Sequence, residues 1–184
     1  VYTEKISLEG SLTKNISLFE MLNILSADDL NLKQRWKNSR VSQSMAAPIG
    51  VTKSGIVYLD LHDKAHGPHG LVAGTTGSGK SEVLQTYILS IATIFHPYEV
   101  SFVIIDFKGG GMANQFKNLP HLLGAITNID GKEMERSLKS IKAELRKRQK
   151  LFAEAEVNHI DKYIQEYKAG KVDIPIPHLI LIVD

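Results

Sequence analysis

The chain has 184 residues, which is enough for one domain with a sizeable core and an N-terminal appendage. Its apolar and charged fractions, 43% and 23%, are ordinary for a soluble globular protein, and a net charge of +2 is too small to indicate a nucleic-acid partner. The absence of cysteine excludes disulfides and thiolate-bound metals, and no apolar stretch reaches the roughly 20 residues that a membrane-spanning helix needs.

The N-terminal part of the chain, residues 1–47, differs in pattern from the rest and predicts a small helical extension. Apolar residues recur at helical spacing over residues 17–25, which predicts a first short helix there. Ser26 followed by Asp29 is a capping signal for a second helix. The polar run over residues 38–44 predicts a linker to the main domain.

The rest of the chain alternates between strand and helix patterns. The predicted strands cover residues 56–61, 71–73, 100–106 and 178–183, and the predicted helices cover residues 82–95, 132–156 and a segment capped by Asn158. Strand 100–106 is continuously apolar, as expected when helices cover both faces of a sheet. Such alternation is typical of an α/β domain with a mostly parallel sheet.

One run matches the phosphate-binding pattern G-x-x-x-x-G-K-[ST] at every fixed position: Gly74, Thr75, Thr76, Gly77, Ser78, Gly79, Lys80 and Ser81. A strand is predicted before this run and a helix after it. A phosphate-binding loop requires both elements, whereas a turn that is only rich in glycine does not. The glycines let backbone N–H groups point at phosphates, Lys80 adds a positive charge, and Ser81 offers a hydroxyl to magnesium. We therefore assign binding of ATP and Mg²⁺ to this run together with Glu82.

Asp184 ends the last predicted strand, where an acidic residue of a nucleotide-binding sheet faces the magnesium ion. The alternative is an aspartate that only ends a strand. We predict that Asp184 and Ser81 bind the metal and that Lys80 and Asp184 are the catalytic residues. Strands 71–73 and 178–183 should then be neighbours, with strand 100–106 parallel to both. Because the sequence stops at Asp184, we expect it to be truncated there, before the glutamate that orients water in many such enzymes.

Two other segments leave alternatives open. Asp106-Phe107-Lys108-Gly109-Gly110-Gly111 follows a core strand, at the sheet edge where ligands collect. Its glycines either form a backbone concavity or hinge, with Lys108 contacting a phosphate or a neighbouring subunit, or the segment is a flexible loop with a solvated lysine. The basic run Arg146–Lys150 is predicted to be the solvated face of an amphipathic helix. The histidines show no metal-ligand spacing, so magnesium is the one metal predicted.

Five collinear segments resemble the FtsK/SpoIIIE group of ring-forming motor ATPases. They cover residues 69–81, 105–108, 119–123, 144–149 and 176–184. Within that group the chain is most similar to the type VII secretion ATPases of the EssC/EccC kind, at their first ATPase domain. The segments that carry this closer likeness are residues 65–70, 106–114 and 157–160.

The resemblance implies a RecA-like P-loop domain over residues 48–184, lacking its C-terminal part, after a helical extension and linker over residues 1–47. It implies that Lys80 and Ser81 contact phosphate and magnesium and that Asp184 is the Walker B aspartate. It also implies an ATPase on the cytoplasmic side of the bacterial membrane, anchored through segments outside this chain. Its expected partners are copies of itself in a hexameric ring, secreted WxG-type helical proteins and other secretion-machine subunits. DNA is not an expected partner, but a DNA translocase and a non-hydrolysing regulatory module remain alternatives.

Overall fold

The computed structural model describes residues 15–127 and 131–184. These residues form two compact units. The first unit comprises residues 15–38 and 44–94, and the second comprises residues 39–43, 95–127 and 131–184. Residues 1–14 of the predicted N-terminal extension lie outside the described residues.

The first unit begins with short helical segments whose starts are set by side-chain caps. Helix α1 covers Leu18–Met21 and is shorter than the predicted helix, and Ser17 and Glu20 form a capping box at its start. Ser26 and Asp29 form a second capping box, as predicted, but the turn that they cap is a 3₁₀ helix over Ala27–Leu30. The chain then continues into helix α2, Leu32–Asn38, after a left-handed residue at Asn31.

A β-hairpin and a long helix complete the first unit. Strands β1 (Ala47–Thr52) and β2 (Gly55–Leu59) pair antiparallel, and β2 confirms the predicted strand. Helix α3 covers Lys80–Ile94 and confirms the predicted helix after the phosphate-binding pattern. The Ser90 hydroxyl donates to the Pro48 carbonyl at 2.6 Å, and the Trp36 indole donates to the Ala92 carbonyl at 3.0 Å. These bonds tie α3 to β1 and to α2.

The predicted strand over residues 71–73 is wrong, because residues 71–75 have no regular secondary structure. A strand needs a neighbouring backbone to pair with, and these residues pair with no strand of the described chain. The Leu71 side chain is 94% exposed, so this apolar run contributes little to a core. The predicted pairing of this run with the last strand is therefore not formed.

The second unit is built on a three-stranded parallel sheet. Strand β3 (Val100–Ile105) lies between β4 (Leu122–Ile126) and β5 (His178–Val183), in the order β4-β3-β5. Strand β5 pairs with β3 without a register shift, from Val100 opposite His178 to Ile105 opposite Val183. Phe102 and Ile104 are fully buried in the central strand. The predicted strands 100–106 and 178–183 and their parallel direction are confirmed, but their direct pairing with each other was not predicted.

Helices connect these strands. Helix α4 covers Gly111–Gln115, α5 covers Gly131–Glu154 and α6 covers Ile160–Lys168. The two longer helices confirm the predicted ones, but α6 is capped by His159 and not by Asn158, since the His159 ring accepts from the Asp161 N–H. The ring centroids of Phe152 and Tyr163 lie 5.4 Å apart, and this contact joins α5 to α6. Strand, helix and parallel sheet together make this an α/β fold.

The segment over residues 39–43 is packed, although its composition suggested a linker. Val41 is fully buried, and the Ser39 hydroxyl donates to the buried carboxylate of Glu99, just before β3. The Lys168 ammonium forms an ion pair with the same carboxylate. Glu99 thereby joins this segment and α6 to the start of the central strand.

Candidate functional site

The phosphate-binding loop, residues 74–81, runs directly into helix α3. Residues 74–78 are exposed, and Lys80 is the first residue of the helix, followed by Ser81 and Glu82 in its first turn. The first N–H groups of a helix have no partner within it, and the helix dipole is positive at this end. The helix therefore presents backbone donors at the position where the sequence predicts a phosphate.

The Lys80 ammonium lies within the curve of the loop. Its Nζ donates to the carbonyl oxygens of Gly74 at 2.8 Å and Thr75 at 2.7 Å. The loop can turn this sharply because Gly79 adopts φ +91°, a conformation that side chains other than glycine rarely tolerate. The lysine thus joins the first residue of α3 to the two carbonyls at the start of the loop.

The residues of the loop fit a phosphate group. A β-carbon placed on Gly74 would collide with the Ser78 hydroxyl oxygen, so a larger residue there would require the Ser78 side chain to move. The donors available there are backbone N–H groups and one ammonium, which is the donor set that recognises phosphate. The Ser81 hydroxyl, one residue into the helix, is the kind of oxygen ligand that magnesium accepts.

A second set of polar residues lies at the carboxyl end of the parallel sheet, in the loop that we call the Asp106 loop, residues 106–112. The Asp106 side chain is buried, and its two oxygens accept the N–H groups of Lys108 and Met112, each at 3.0 Å. Burial acts to raise the pKa of Asp106, but donation from these N–H groups and those of Gly110 and Ala113 outweighs it, so the pKa is lowered. A buried carboxylate thus fixes the backbone of the loop.

Lys108 and Asp184 meet at this edge. The Lys108 Nζ lies 2.5 Å from an Asp184 carboxylate oxygen, with the two side chains 62% and 12% exposed. Lys108 thus has a carboxylate partner, although most of its side chain stays exposed. The contact itself was missed, although Lys108 and Asp184 follow two strands that turn out to be adjacent and parallel.

The predicted solvated face of α5 is correct for the basic run Arg146–Lys150 except at Arg148. Arg148 is buried; its Nε donates to Glu144 at 2.9 Å, and another guanidinium nitrogen donates to the Pro177 carbonyl at 2.7 Å. These bonds hold α5 against the segment that leads into β5. Spacing alone did not distinguish this arginine from its exposed neighbours.

Replacing Asp106 with asparagine tests the Asp106 loop. The amide nitrogen of asparagine cannot accept from a backbone N–H, so we expect Asp106→Asn to lower the free energy of unfolding at pH 7 by about 2 kcal/mol. Because the folded-state pKa is lowered, the stabilisation is complete above the unfolded pKa of about 3.9 and is lost as the pH falls through the folded value. The difference between the proteins should therefore shrink below about pH 4.

Urea unfolding of both proteins at neutral and acidic pH measures that difference. Asp173→Asn is the matched control, because Asp173 is exposed in the same unit. Equal stability of Asp106→Asn and the parent protein at pH 7 would show that the carboxylate does not hold the loop.

Among the residues that the structure describes, no helix combines the length and the apolar character needed to cross a membrane. The assignment of nucleotide, magnesium and catalysis to Lys80, Ser81 and Asp184 stays a prediction at this point. It is consistent with the loop geometry in the first unit and with the position of Asp184 at the sheet edge in the second.

Known proteins are similar to this chain in sequence and in fold. A type VII secretion system protein EssC of Staphylococcus aureus is 56% identical over 178 residues, which is 96% of this chain and 12% of that protein. The solved cytoplasmic domain of the Thermomonospora curvata type VII secretion ATPase EccC aligns with a TM-score of 0.82 and 29% identity, covering 94% of this chain and 21% of that one.

A second solved structure is described as T. curvata EccC (ATPases 2 and 3) in complex with a signal sequence peptide. It aligns with a TM-score of 0.66 and 28% identity over 80% of this chain and 27% of that one. The chain thus spans about an eighth of the length of the S. aureus relative and about a quarter or less of these two structures.

These likenesses confirm the RecA-like P-loop fold. The sequence pattern of the FtsK/SpoIIIE family matches residues 29–183, and the chain belongs to that family.

Proposed function

We propose that this chain is an ATP-binding module of a longer, membrane-anchored motor ATPase that powers type VII protein secretion. The observation that carries the proposal is the phosphate-binding loop, with the Lys80 ammonium inside it at the start of a 15-residue helix. The likeness to the EssC and EccC proteins over nearly the whole chain supports the secretion role. ATP hydrolysis belongs to the full-length protein in this proposal.

The chain's own residues bind and orient the nucleotide. Backbone N–H groups of residues 74–81 and the N-terminus of α3 hold the β- and γ-phosphates. Lys80 would donate to phosphate oxygens in place of the Gly74 and Thr75 carbonyls, from an ammonium that already lies in the loop. Glu82, in the first turn of α3, lies next to this site along the chain.

Ser81 and Asp184 are the proposed magnesium ligands, Asp184 directly or through a water molecule. When bound, magnesium would act as a Lewis acid that offsets negative charge on the phosphates during γ-phosphoryl transfer. Catalysis then depends on positioning and electrostatic stabilisation, and Lys80 and Asp184 supply a positive charge and a metal ligand for it.

The wider role follows from the relatives and is part of the same proposal. The module would act in a hexameric ring on the cytoplasmic side of the bacterial membrane, with ATP binding changing subunit geometry. Small secreted helical proteins of the WxG type and other secretion-machine subunits would be its partners. A related structure in complex with a signal sequence peptide supports a peptide cargo for the group.

Nucleotide titration tests the core of the proposal. Isothermal calorimetry of the purified chain with ATP and Mg²⁺ should give saturable binding that weakens when EDTA removes the metal. Turnover in the full-length protein then separates a motor from a regulatory module that holds nucleotide without hydrolysing it. Absence of any ATP binding by folded protein would contradict the proposal.

A DNA translocase is the second candidate, because the family includes such motors, and it predicts duplex binding that weakens steeply with salt. We expect no DNA band shift with micromolar protein at physiological salt. The net charge is only +2, and three basic residues of α5, Lys139, Arg148 and Lys150, are paired with glutamates of the same helix. A sequence-independent complex that dissolves as salt rises would instead favour the DNA translocase.

A further inference from the structure

The ion pair between Lys108 and Asp184 connects two segments that follow adjacent parallel strands. Lys108 lies in the loop after β3, and Asp184 directly follows β5. Their 2.5 Å contact joins an exposed ammonium to a carboxylate that is only 12% exposed. Lys108 is therefore the cation in direct contact with the residue to which we assign magnesium.

The backbone of Lys108 is held firmly enough to aim its side chain. The Lys108 N–H donates to the buried Asp106 carboxylate, whose other oxygen accepts the Met112 N–H. Gly110 caps helix α4 with φ +83°, and a β-carbon there would lie 3.1 Å from the Thr127 methyl carbon. The loop can take this form only with glycine at that position.

The backbone of Asp184 is held to the same loop. Its N–H donates to the Ile105 carbonyl at 2.9 Å, and its carbonyl accepts the Phe107 N–H at 2.9 Å. These two bonds continue the β3–β5 ladder past the end of the strands. The Asp184 carboxylate and the Lys108 ammonium are thus placed against each other by backbone bonds on both sides.

We propose that Lys108 is a positioning residue that holds the Asp184 carboxylate and opposes magnesium binding to it. The ammonium and a magnesium ion repel each other and are both attracted to the Asp184 carboxylate, so the two cations compete for it. Lys108 then sets the magnesium concentration at which the site fills. This inference rests on the proposed magnesium role of Asp184.

The test is a magnesium titration at a fixed concentration of a fluorescent ATP analogue, with Lys108→Met and Lys108→Arg compared with the parent protein. Methionine keeps an apolar stem without the charge, so the magnesium midpoint should fall about two- to fivefold, the range expected for removing a partly exposed ion pair. Arginine restores the cation and should return the midpoint to at least the parent value. Affinity for the analogue at saturating magnesium should change less than twofold in Lys108→Met.

Lys117→Met is the matched control, because Lys117 is an exposed lysine of the same unit, and its midpoint should equal that of the parent. Lys108→Gln serves in place of methionine if that variant unfolds, and its midpoint should also fall. If the folded methionine and glutamine variants have an unchanged or higher magnesium midpoint, and the parent still requires magnesium, the proposed role of Lys108 is wrong. The metal role of Asp184 is not affected by that result. Analogue binding by the parent that needs no magnesium overturns the metal role of Asp184 as well.

Discussion

Lys80→Ala is expected to weaken ATP binding at least tenfold, which corresponds to about 1.4 kcal/mol of binding free energy. The substitution removes the one side-chain cation that the structure places inside the phosphate-binding loop, where its Nζ contacts the Gly74 and Thr75 carbonyls. In our proposal that charge lies close to the phosphates, where a charge-assisted hydrogen bond is stronger than a neutral one. Calorimetry with ATP and Mg²⁺ measures the effect directly.

Two comparison proteins make the Lys80 result specific. Lys80→Arg keeps the charge but changes its geometry from a point charge to a planar fork, so partial loss of affinity is expected. Lys53→Ala removes an exposed lysine in the hairpin turn of the same unit and should leave affinity unchanged. Circular dichroism confirms that each variant is folded. ATP affinity that stays at the parent value in folded Lys80→Ala would refute the assigned site.

Asp184→Asn is expected to lower ATP turnover by the full-length protein at least a hundredfold, about 2.7 kcal/mol of activation free energy. The amide keeps the shape of the side chain but carries no charge for magnesium, so the metal is held less firmly at the phosphates. Phosphate release at saturating ATP, measured across a range of magnesium concentrations, should show both a lower maximum and a higher magnesium requirement.

The control for Asp184 is Asp173→Asn, which removes an exposed carboxylate from the same unit and should not change turnover. Asp184→Asn also removes the partner of Lys108, so its effect is to be compared with that of Lys108→Met, which removes the opposite half of the pair. The two variants should change the magnesium requirement in opposite directions. A parent-like magnesium requirement in Asp184→Asn would argue that this aspartate only ends a strand.

The sequence allowed correct prediction of elements with long and regular patterns. Helices α3 and α5 and strands β3 and β5 all lie where periodicity or continuous apolar character placed them. Each of these elements runs over six or more residues, so its pattern repeats often enough to be recognised, although Arg148 is the one described residue that α5 buries.

The elements that sequence reasoning missed are short and contain residues that weaken the pattern. Strand β1 holds Pro48 and Gly50, between which its pairing shifts register, and β4 holds Gly124 in only five residues. Neither proline nor glycine favours a strand, and both strands form because a neighbouring strand supplies the partner backbone. The strand prediction for residues 71–73 was wrong for the converse reason, since apolar residues without a partner strand do not form a strand.

In the candidate site, too, local patterns were predictable and contacts between distant residues were not. The phosphate-binding loop was predictable because its pattern is local and each residue type has a chemical reason. The contact between Lys108 and Asp184 was not, because it depends on which strands become neighbours. The burial of Asp106 beneath its loop and of Arg148 on α5 likewise comes from tertiary packing that a one-dimensional pattern does not record.

The strand order β4-β3-β5 also bears on how the second unit is synthesised and folds. Strand β3 is synthesised before its partner β5, and α4, β4, α5 and α6 are made between them. The edge of β3 that pairs with β5 therefore has no partner until that distant segment is made, and such non-local parallel pairing is slow. During that interval one edge of β3 has no partner, and an unpaired strand edge favours aggregation.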